Sequence, residues 1–330
     1  MSTPSRRRAS LTALAILVVA AVVAIGLIVA RPDGSQPSAA AESALPAASG
    51  MGEVELLVSD LDRMIDFYGD GVGLDVIERD ADGAVLGSDG QPLLRLVAAP
   101  ELGTDDRTQA GLYHSAVLFD EASELASAVV RVAAAFPAAF QGASDHTVSN
   151  AFYFGDPEGN GVELYVDLPR DTWTWTDGRV TMGTYALDPN AFLDAHLPAE
   201  GPTASADGVT MGHVHLRGGD VDEAERFYVD VVGMAVTSRI DSAVFLSAGG
   251  YHHHIAVNTW SSAGAGARPE SLGLSHLTIA VPDEQAIDAV QRRAEAAGAE
   301  AERTDAGLVL LDPWGTRVVI RATGDAATAG

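Results

Sequence analysis

The side chains able to bind a metal ion in this chain are histidines and carboxylates, because the sequence contains no cysteine. Any metal ion would therefore be held by nitrogen and oxygen atoms, and disulfides, thiolate zinc sites and iron–sulfur clusters are excluded. Two short segments concentrate such ligands: Glu53 with Glu55, and His252 with His254 after Tyr251. The residues of each pair are two positions apart, so a β-strand would place both on one face.

The charge of the chain limits its partners. The formal net charge is −26 over 330 residues, and all 20 basic residues are Arg. An acidic surface of this kind repels phosphate backbones, so we expect no binding to nucleic acid. The hydrophobic fraction of 47% supplies enough apolar surface for two folded domains.

The N-terminal 31 residues differ in character from the rest. Three arginines at positions 6–8 precede a predominantly apolar run over residues 11–30, which is about the length needed to span a bilayer. This pattern predicts one transmembrane helix with its N-terminus inside the cell and the remaining chain outside it. Cleavage of the segment as a signal peptide, which would leave a secreted protein, is the alternative. Residues 32–50 are rich in Pro, Gly, Ser and Ala and predict a flexible linker.

The remaining sequence is an internal repeat. The segment 51–60 recurs at 211–220, and Phe67-Tyr68 recurs at Phe227-Tyr228 with the same offset of 160 residues. Each copy indicates a strand, an Asp-initiated amphipathic helix that ends at Gly, and another strand.

A second repeated pair begins at Leu112 and Leu274, and each member continues into an Ala-rich helix and an Asp-Pro turn before a last strand. There are thus four units in the order A, B, A′ and B′, which begin near residues 51, 112, 211 and 274. We predict domains at 51–168 and 209–322, a linker at 169–208 and a tail at 323–330.

The motifs of these units resemble those of one superfamily. The helix ending in Asp66-Phe-Tyr68 and the turn Asp156-Pro-Glu-Gly-Asn-Gly-Val-Glu163 are similar to those of the vicinal oxygen chelate superfamily, which includes glyoxalase I, bleomycin resistance proteins and extradiol dioxygenases. Within it, the segments Leu112-Tyr-His114 and Gly212-His-Val-His-Leu216 resemble those of the bacterial two-domain catechol 2,3-dioxygenase-like branch. The resemblance implies an α+β fold, in which four βαβββ units pair into two vicinal oxygen chelate domains, here preceded by the transmembrane helix.

The resemblance also implies a metal site in unit B. His114 on its opening strand and Glu163 on its closing strand match metal ligands of the superfamily, and His146 and Tyr153 match positions that handle protons beside the substrate. The third ligand is expected from the opening strand of unit A. Glu53 and Glu55 stand there instead of His, so either could complete the site.

A rival site is possible in the second half of the chain. His213 and His276 lie on its two opening strands, and His252 and His254 precede a further strand. Three neutral imidazoles can hold Zn²⁺ or Fe²⁺. The position that corresponds to Glu163, however, is Val319 in this half.

The most direct functional hypothesis is a metal-dependent extradiol, catechol 2,3-dioxygenase-like oxidoreductase acting on a small aromatic or diol-type substrate. The resemblance implies Fe(II), with Mn, Ni or Zn as alternatives. Two other functions stay open: a non-catalytic small-molecule-binding or resistance protein, and a glyoxalase-type lyase or isomerase. Beyond a small molecule and the predicted membrane, no partner is indicated, and the oligomeric state stays open.

Overall fold

The structure is a computed structural model that describes residues 40–323. Its elements repeat the order strand, helix and three strands four times. Unit A (50–98) and unit B (111–167) form the first half of the repeat. Unit A contains strands β1 Gly50–Val58, β2 Asp75–Arg79, β3 Gly83–Ser88 and β4 Gln91–Ala98, with helix α1 Leu61–Asp66 continuing as a π-helical segment, Phe67–Val72. Unit B contains β5 Gly111–Phe119, α2 Ala122–Ala135, β6 Phe140–Asp145, β7 Ser149–Gly155 and β8 Gly161–Asp167.

The segment between the halves has short elements of its own: a 3₁₀ turn Arg170–Thr172, strands β9 Trp175–Thr176, β10 Arg179–Val180 and β11 Tyr185–Ala186, and helix α3 Pro189–His196. Unit A′ (210–258) contains β12 Thr210–Arg217, α4 Val221–Arg226 with a π-helical continuation Phe227–Val232, β13 Ala235–Ile240, β14 Ala243–Ser247 and β15 Ile255–Asn258. Unit B′ (273–322) contains β16 Gly273–Val281, α5 Glu284–Ala297, β17 Ala301–Thr304, β18 Gly307–Leu311 and β19 Arg317–Ala322.

The repeated Asp and Gly residues bound the first helix of units A and A′. The side chain of Asp60 accepts a hydrogen bond from the backbone N–H of Arg63, and Asp220 does the same for Glu223. Gly73 and Gly233 end the two π-helical segments with φ of 99° and 95°, a left-handed conformation that favours glycine. These local signals explain why both helices begin and end at equivalent positions.

Two large sheets join strands from both halves of the chain. The nine-stranded sheet has the order β11-β6-β7-β8-β5-β12-β15-β14-β13, and the eight-stranded sheet has the order β17-β18-β19-β16-β1-β4-β3-β2. At their centres β5 pairs antiparallel with β12, and β1 pairs antiparallel with β16. Unit B is therefore continuous with unit A′, and unit A with unit B′. The expected domains 51–168 and 209–322 each contribute strands to both sheets.

Helices cover one face of these sheets and leave the other face for polar side chains. Leu125, Val129 and Val132 of α2 and Ile287 and Val290 of α5 are buried in the main core cluster. Full burial of one such side chain stabilises the fold by roughly 1.5–3 kcal/mol. The opposite face of β5, β8 and β12 carries His114, Glu163 and His213.

The membrane component of the expected fold class requires correction. The predicted anchor at 1–31 lies outside the described residues, and within residues 40–323 no helix has the length and apolarity needed to cross a membrane. The longest helices there, α2 and α5, have 14 residues each and pack on sheets, whereas a span needs about 20. The fold class that the findings support is a mixed α+β fold with two repeated domains. This finding contradicts the membrane part of the predicted fold class and the predicted membrane-anchored localisation.

Part of the predicted linker at 32–50 packs against the fold. Leu45 is buried at 2% exposure, and its N–H donates to the carbonyl of Gly233 at 2.8 Å. Ala41 likewise donates to the carbonyl of Gly178 at 3.1 Å. Residues 40–49 therefore run along unit A′ and the β9–β10 hairpin before β1 begins.

Candidate metal centre

Three side chains from three strands converge on one face of the nine-stranded sheet. His114 lies on β5, Glu163 on the neighbouring parallel strand β8, and His213 on the antiparallel strand β12. Their ligand atoms all lie within 4.8 Å of one another, and all three residues are buried. We call this region, formed by units B and A′, the first cup.

The distances fit a single metal ion. The carboxylate Oε2 of Glu163 lies 3.0 Å from His114 Nε2 and 3.2 Å from His213 Nε2, and the two Nε2 atoms are 3.3 Å apart. Ligand atoms about 2.1 Å from an ion at right angles to one another are roughly 3 Å apart. Two imidazoles and one carboxylate in this arrangement form a facial triad that leaves other coordination positions open.

The protonation states also suit metal binding, which requires a carboxylate and neutral imidazoles. Burial raises the pKa of Glu163, but its contacts with His213 and His114 outweigh burial and hold that pKa well below the usual value. Burial lowers the pKa of His213 to about 4, against the opposing effect of Glu163. Near neutral pH the triad therefore presents an ionised Glu163 and a neutral His213.

His146 and Tyr153 form a hydrogen-bonded pair beside the triad. The hydroxyl of Tyr153 lies 2.7 Å from His146 Nε2, and His146 Nδ1 donates to the carbonyl of Gly183 at 2.8 Å. Because a carbonyl only accepts, it fixes the proton on Nδ1 and leaves Nε2 of a neutral His146 to accept from Tyr153. The ring of Tyr153 lies 5.7 Å from that of His114. Burial, followed by the charge of Glu163, raises the pKa of Tyr153 well above 10.

A second hydrogen-bonded set of side chains lies in the first cup, and its two histidines come from unit A′. His252 Nε2 is 3.0 Å from Asp167 Oδ1, and His252 Nδ1 is 2.8 Å from His253 Nδ1. The ring of His253 packs against that of His213, with centroids 4.1 Å apart. Burial, and then His213, lowers the pKa of His253 well below its usual value. Asp167 and His252 thus orient a neutral His253 against a ligand of the candidate metal centre.

Aromatic rings line another part of the first cup. His215 lies 4.9 Å from His114 between ring centroids, and it accepts a hydrogen bond from the Asn258 amide at 3.0 Å. Tyr113 and Trp260, which contact each other at 5.2 Å, both pack on His215. They are among the few large hydrophobic side chains with substantial exposure, 36% and 44%. This aromatic edge connects the triad to solvent.

The other residues considered from the sequence lie elsewhere. Glu53 and Glu55 are on β1 in the eight-stranded sheet, where Glu53 binds Arg95 and Glu55 binds His276. His254 stacks on Tyr251, and its Nδ1 accepts the N–H of Ala248 at 3.3 Å. Burial, and then His252, lowers the pKa of His254 to about 3.

The rival set of histidines is therefore divided. His213 joins His114 and Glu163, His252 supports His253, and His254 and His276 lie in other surroundings.

Comparison with known proteins agrees with this geometry. The sequence matches the family described as the Glyoxalase/Bleomycin resistance protein/Dioxygenase superfamily over residues 50–164 and 210–320. The chain belongs to this superfamily. The vicinal oxygen chelate resemblance is thereby confirmed.

One curated relative of the superfamily is similar along most of the chain. It is the catechol-2,3-dioxygenase of Bacillus subtilis, 35% identical over 269 residues, which are 80% of this chain and 93% of the relative. This relationship confirms the prediction of a catechol 2,3-dioxygenase-like oxidoreductase.

Solved structures support the fold alone. Glyoxalase I from Zea mays aligns with a TM-score of 0.54 at 16% identity, over 85% of this chain and 94% of that one. The cppA protein of Streptococcus pneumoniae aligns with a TM-score of 0.51 at 12% identity, over 83% and 99%.

Sequence reasoning assigned His213 to a different metal set and did not single out His253, His215 or Asp167. A signal for His213 was present, because unit A lacks the histidine and unit B′ lacks the carboxylate. Units B and A′ together supply two histidines and one carboxylate. The pairing of β5 with β12 is what brings them together.

Proposed function

We propose that this protein is an extradiol dioxygenase that uses a divalent metal ion, Fe(II), to open the ring of a small catechol next to its hydroxyl groups. The observation that carries the proposal is the convergence of His114, Glu163 and His213 in the buried first cup. The reaction adds both atoms of dioxygen to a catechol and yields a ring-opened hydroxy-aldehyde carboxylic acid. When bound, ferrous iron supplies adjacent coordination positions for a catecholate and dioxygen.

The residues of the triad bind and orient. Glu163 contributes the negative charge. It is only 3% exposed, so bulk water has little access to its carboxylate. His114 is held between the rings of Tyr153 and His215, so its Nε2 stays aimed at Glu163. A buried, pre-oriented ligand set lowers the cost of ordering the site when the ion and the substrate bind.

The Tyr153–His146 pair can accept and transfer a proton. A catechol must lose protons to become a bidentate ligand, and the acceptor must lie within hydrogen-bond reach of the diol. His146 Nε2 can take a proton through the Tyr153 hydroxyl, because its own Nδ1 proton is fixed by the Gly183 carbonyl. His253, oriented by Asp167 and His252, is a second neutral imidazole on the side of His213.

The aromatic edge favours planar substrates. Tyr113, His215 and Trp260 form contiguous ring contacts next to His114, and such surfaces bind aromatic rings by offset or edge-to-face contacts. This arrangement supports an aromatic diol as the substrate. A set of one histidine with two or three carboxylates, as considered for a glyoxalase-type alternative, is not assembled in the first cup, because Glu53 and Glu55 lie on the other sheet.

Turnover of catechol by the full chain tests the proposal. Protein freed of metal is reloaded anaerobically with Fe²⁺, Mn²⁺, Ni²⁺ or Zn²⁺ and supplied with catechol and air-saturated buffer. We expect Fe²⁺ to give a yellow ring-opened product with one dioxygen consumed per catechol. Glu163→Gln should abolish turnover and His276→Ala should retain it. If the protein takes up metal but consumes no dioxygen with any of the catechols supplied, the dioxygenase proposal is contradicted and a binding protein is favoured.

A further inference from the structure

The eight-stranded sheet forms a second cup with a different lining. Its central strands β1 and β16 pair as β12 and β5 do in the first cup. Three positions of the triad have counterparts there by strand register. Glu53 corresponds to His213, His276 to His114, and Val319 to Glu163, since Val319 pairs with Thr278 as Glu163 pairs with Ala116. The second cup thus lacks the carboxylate on its closing strand.

An arginine is added where the first cup has a small residue. On β4, Arg95 is the register partner of Glu55, and on β15, Ala256 is the register partner of His215. Paired positions on neighbouring strands point to the same face of a sheet. Arg95 therefore lies on the same face as Glu55 in the second cup, at the position that Ala256 occupies in the first.

The guanidinium binds the groups that stand in the ligand positions. Arg95 Nε lies 3.0 Å from Glu53 Oε1, and its Nη2 lies 3.3 Å from Glu53 Oε2. Its Nε is also 3.9 Å from Glu55 Oε2, and the other oxygen of Glu55 is 3.3 Å from His276 Nδ1. A planar guanidinium suits this two-point contact with a carboxylate. Two carboxylates thus contact one organic cation, and the imidazole of His276 contacts the second of these carboxylates.

A further oxygen in the second cup has no partner. The hydroxyl of Thr278 is buried and makes no hydrogen bond within the described part of the chain. Thr278 lies two residues after His276 on β16, so both side chains are on the same face. Its counterpart in the first cup is the apolar Ala116. A buried hydroxyl without a partner is costly, and it is available here as an additional oxygen ligand.

We propose that Arg95 is a built-in cation that occupies the ligand-binding centre of the second cup, which becomes a divalent-cation site only when this side chain is removed. As long as Arg95 is present, as in the wild-type chain, metal binds in the first cup alone. Glu53, Glu55, His276 and Thr278 supply oxygen and nitrogen atoms of the kind that Mn²⁺ and Ni²⁺ accept. Glu53, at 8% exposure, needs a positive charge nearby in either state.

The test uses the full chain in which the metal site of the first cup has been removed by substitution. His213→Ala removes a ligand of the first cup, and Arg95→Met is combined with it because methionine keeps the length of the aliphatic stem without the charge. Each variant is equilibrated with Mn²⁺ or Ni²⁺, passed through a desalting column and measured for metal content. We expect His213→Ala to hold less than about 0.1 ion per chain and the double variant to hold about one.

Matched variants identify the ligands. Addition of Glu53→Gln to the double variant should remove the regained ion, and Arg95→Lys in place of Arg95→Met should prevent its uptake because the ammonium keeps a positive charge there. Either a folded double variant that binds no ion or His213→Ala alone holding one ion per chain would overturn the proposal.

Instability of the double variant is informative as well. A protein that refolds only when Mn²⁺ or Ni²⁺ is present supports the proposal, and one that stays unfolded with and without the ion contradicts it. Metal content is read independently of catechol turnover, so failure of the dioxygenase proposal leaves this result unaffected.

Discussion

At the scale of single residues, Glu163 is the charged centre of the site. It lies within 3.2 Å of two imidazole nitrogens and is 3% exposed. A buried carboxylate of this kind persists in a fold only with partners that compensate its charge. His114 and Glu163 each fall in motifs that sequence reasoning could assign to a metal. His253 could not be assigned, because its role depends on packing against His213 and has no spacing signature.

Replacement of Tyr153 tests the proton-handling pair. Tyr153→Phe removes the hydroxyl that lies 2.7 Å from His146, and we expect kcat for catechol to fall roughly 10²-fold with metal content unchanged. Tyr251→Phe is the matched control, since that hydroxyl contacts Tyr165 at 2.7 Å and not His146. Equal losses in both variants would show that general packing, and not the pair, is responsible.

The buried imidazoles make the stability of the metal-free protein depend on pH. His213 has a folded pKa of about 4 against 6.5 in an unfolded chain, and the folded pKa values of His215, His253 and His254 are also lowered by burial. Between about pH 6.5 and pH 4 the unfolded chain binds more protons, so the free energy of unfolding decreases as the pH falls. His213 alone contributes on the order of 3 kcal/mol to this loss.

Three carboxyls, Asp156, Glu124 and Asp312, oppose the trend, because burial raises the pKa of each. Burial raises the pKa of Asp312 from 3.8 to about 6, so this residue stabilises the fold as the pH falls from 6 to 3.8, with a smaller total effect than the four imidazoles. Urea denaturation of chelated protein at pH 7 and pH 5 measures the net result. Equal or greater stability at pH 5 would contradict the burial of neutral histidines.

At the scale of elements, the opening strands β5 and β12 carry the two histidines of the triad, and the closing strand β8 carries its carboxylate. Sequence patterns were sufficient to predict the opening strands of the four units and the Asp-capped, Gly-terminated helices of units A and A′, because each depends on residues close together in the chain. The approach of β5 to β12 could not be predicted in the same way. It depends on contacts between residues about 100 positions apart, and units B and A′ resemble units B′ and A too closely for local patterns to choose the pairing.

Gly212 allows β12 to pack beside the triad. A Cβ atom at this position would lie 1.8 Å from the hydroxyl oxygen of Tyr165. We expect Gly212→Ala to lower the free energy of unfolding by about 1–3 kcal/mol and to weaken metal binding through the neighbouring His213. Gly52→Ala is the matched control at the equivalent position of β1, where the nearest atom is a methyl group of Thr278 at 3.0 Å. Unchanged metal affinity in Gly212→Ala would show that β12 tolerates the shift.

At the scale of the whole molecule, duplication has produced two cups with different contents. The first has a complete triad, and the second has Arg95 among two glutamates and an imidazole. The repeat and the superfamily could be predicted from sequence. The third candidate ligand was not predicted, because the expected pairing within each half directed attention to Glu53 and Glu55 instead of His213.

The shared sheets predict joint unfolding of the two halves. Each sheet contains strands from both, so separation of the halves would break the central pairs β5–β12 and β1–β16. We expect circular dichroism and tryptophan fluorescence to report one coincident transition in denaturant. Two well-separated transitions would show that residues 51–168 and 209–322 fold independently.

Metal content of three proteins tests the central claim most directly. The wild-type chain, His213→Ala and His276→Ala are reloaded with Fe²⁺ under anaerobic conditions, desalted and analysed for iron. The two histidines lie on the opening strands β12 of unit A′ and β16 of unit B′, which belong to different sheets. We expect about one ion per chain in the wild type and in His276→Ala, and less than about 0.1 in His213→Ala. Retention of iron by His213→Ala together with its loss from His276→Ala would contradict the assignment of the metal centre.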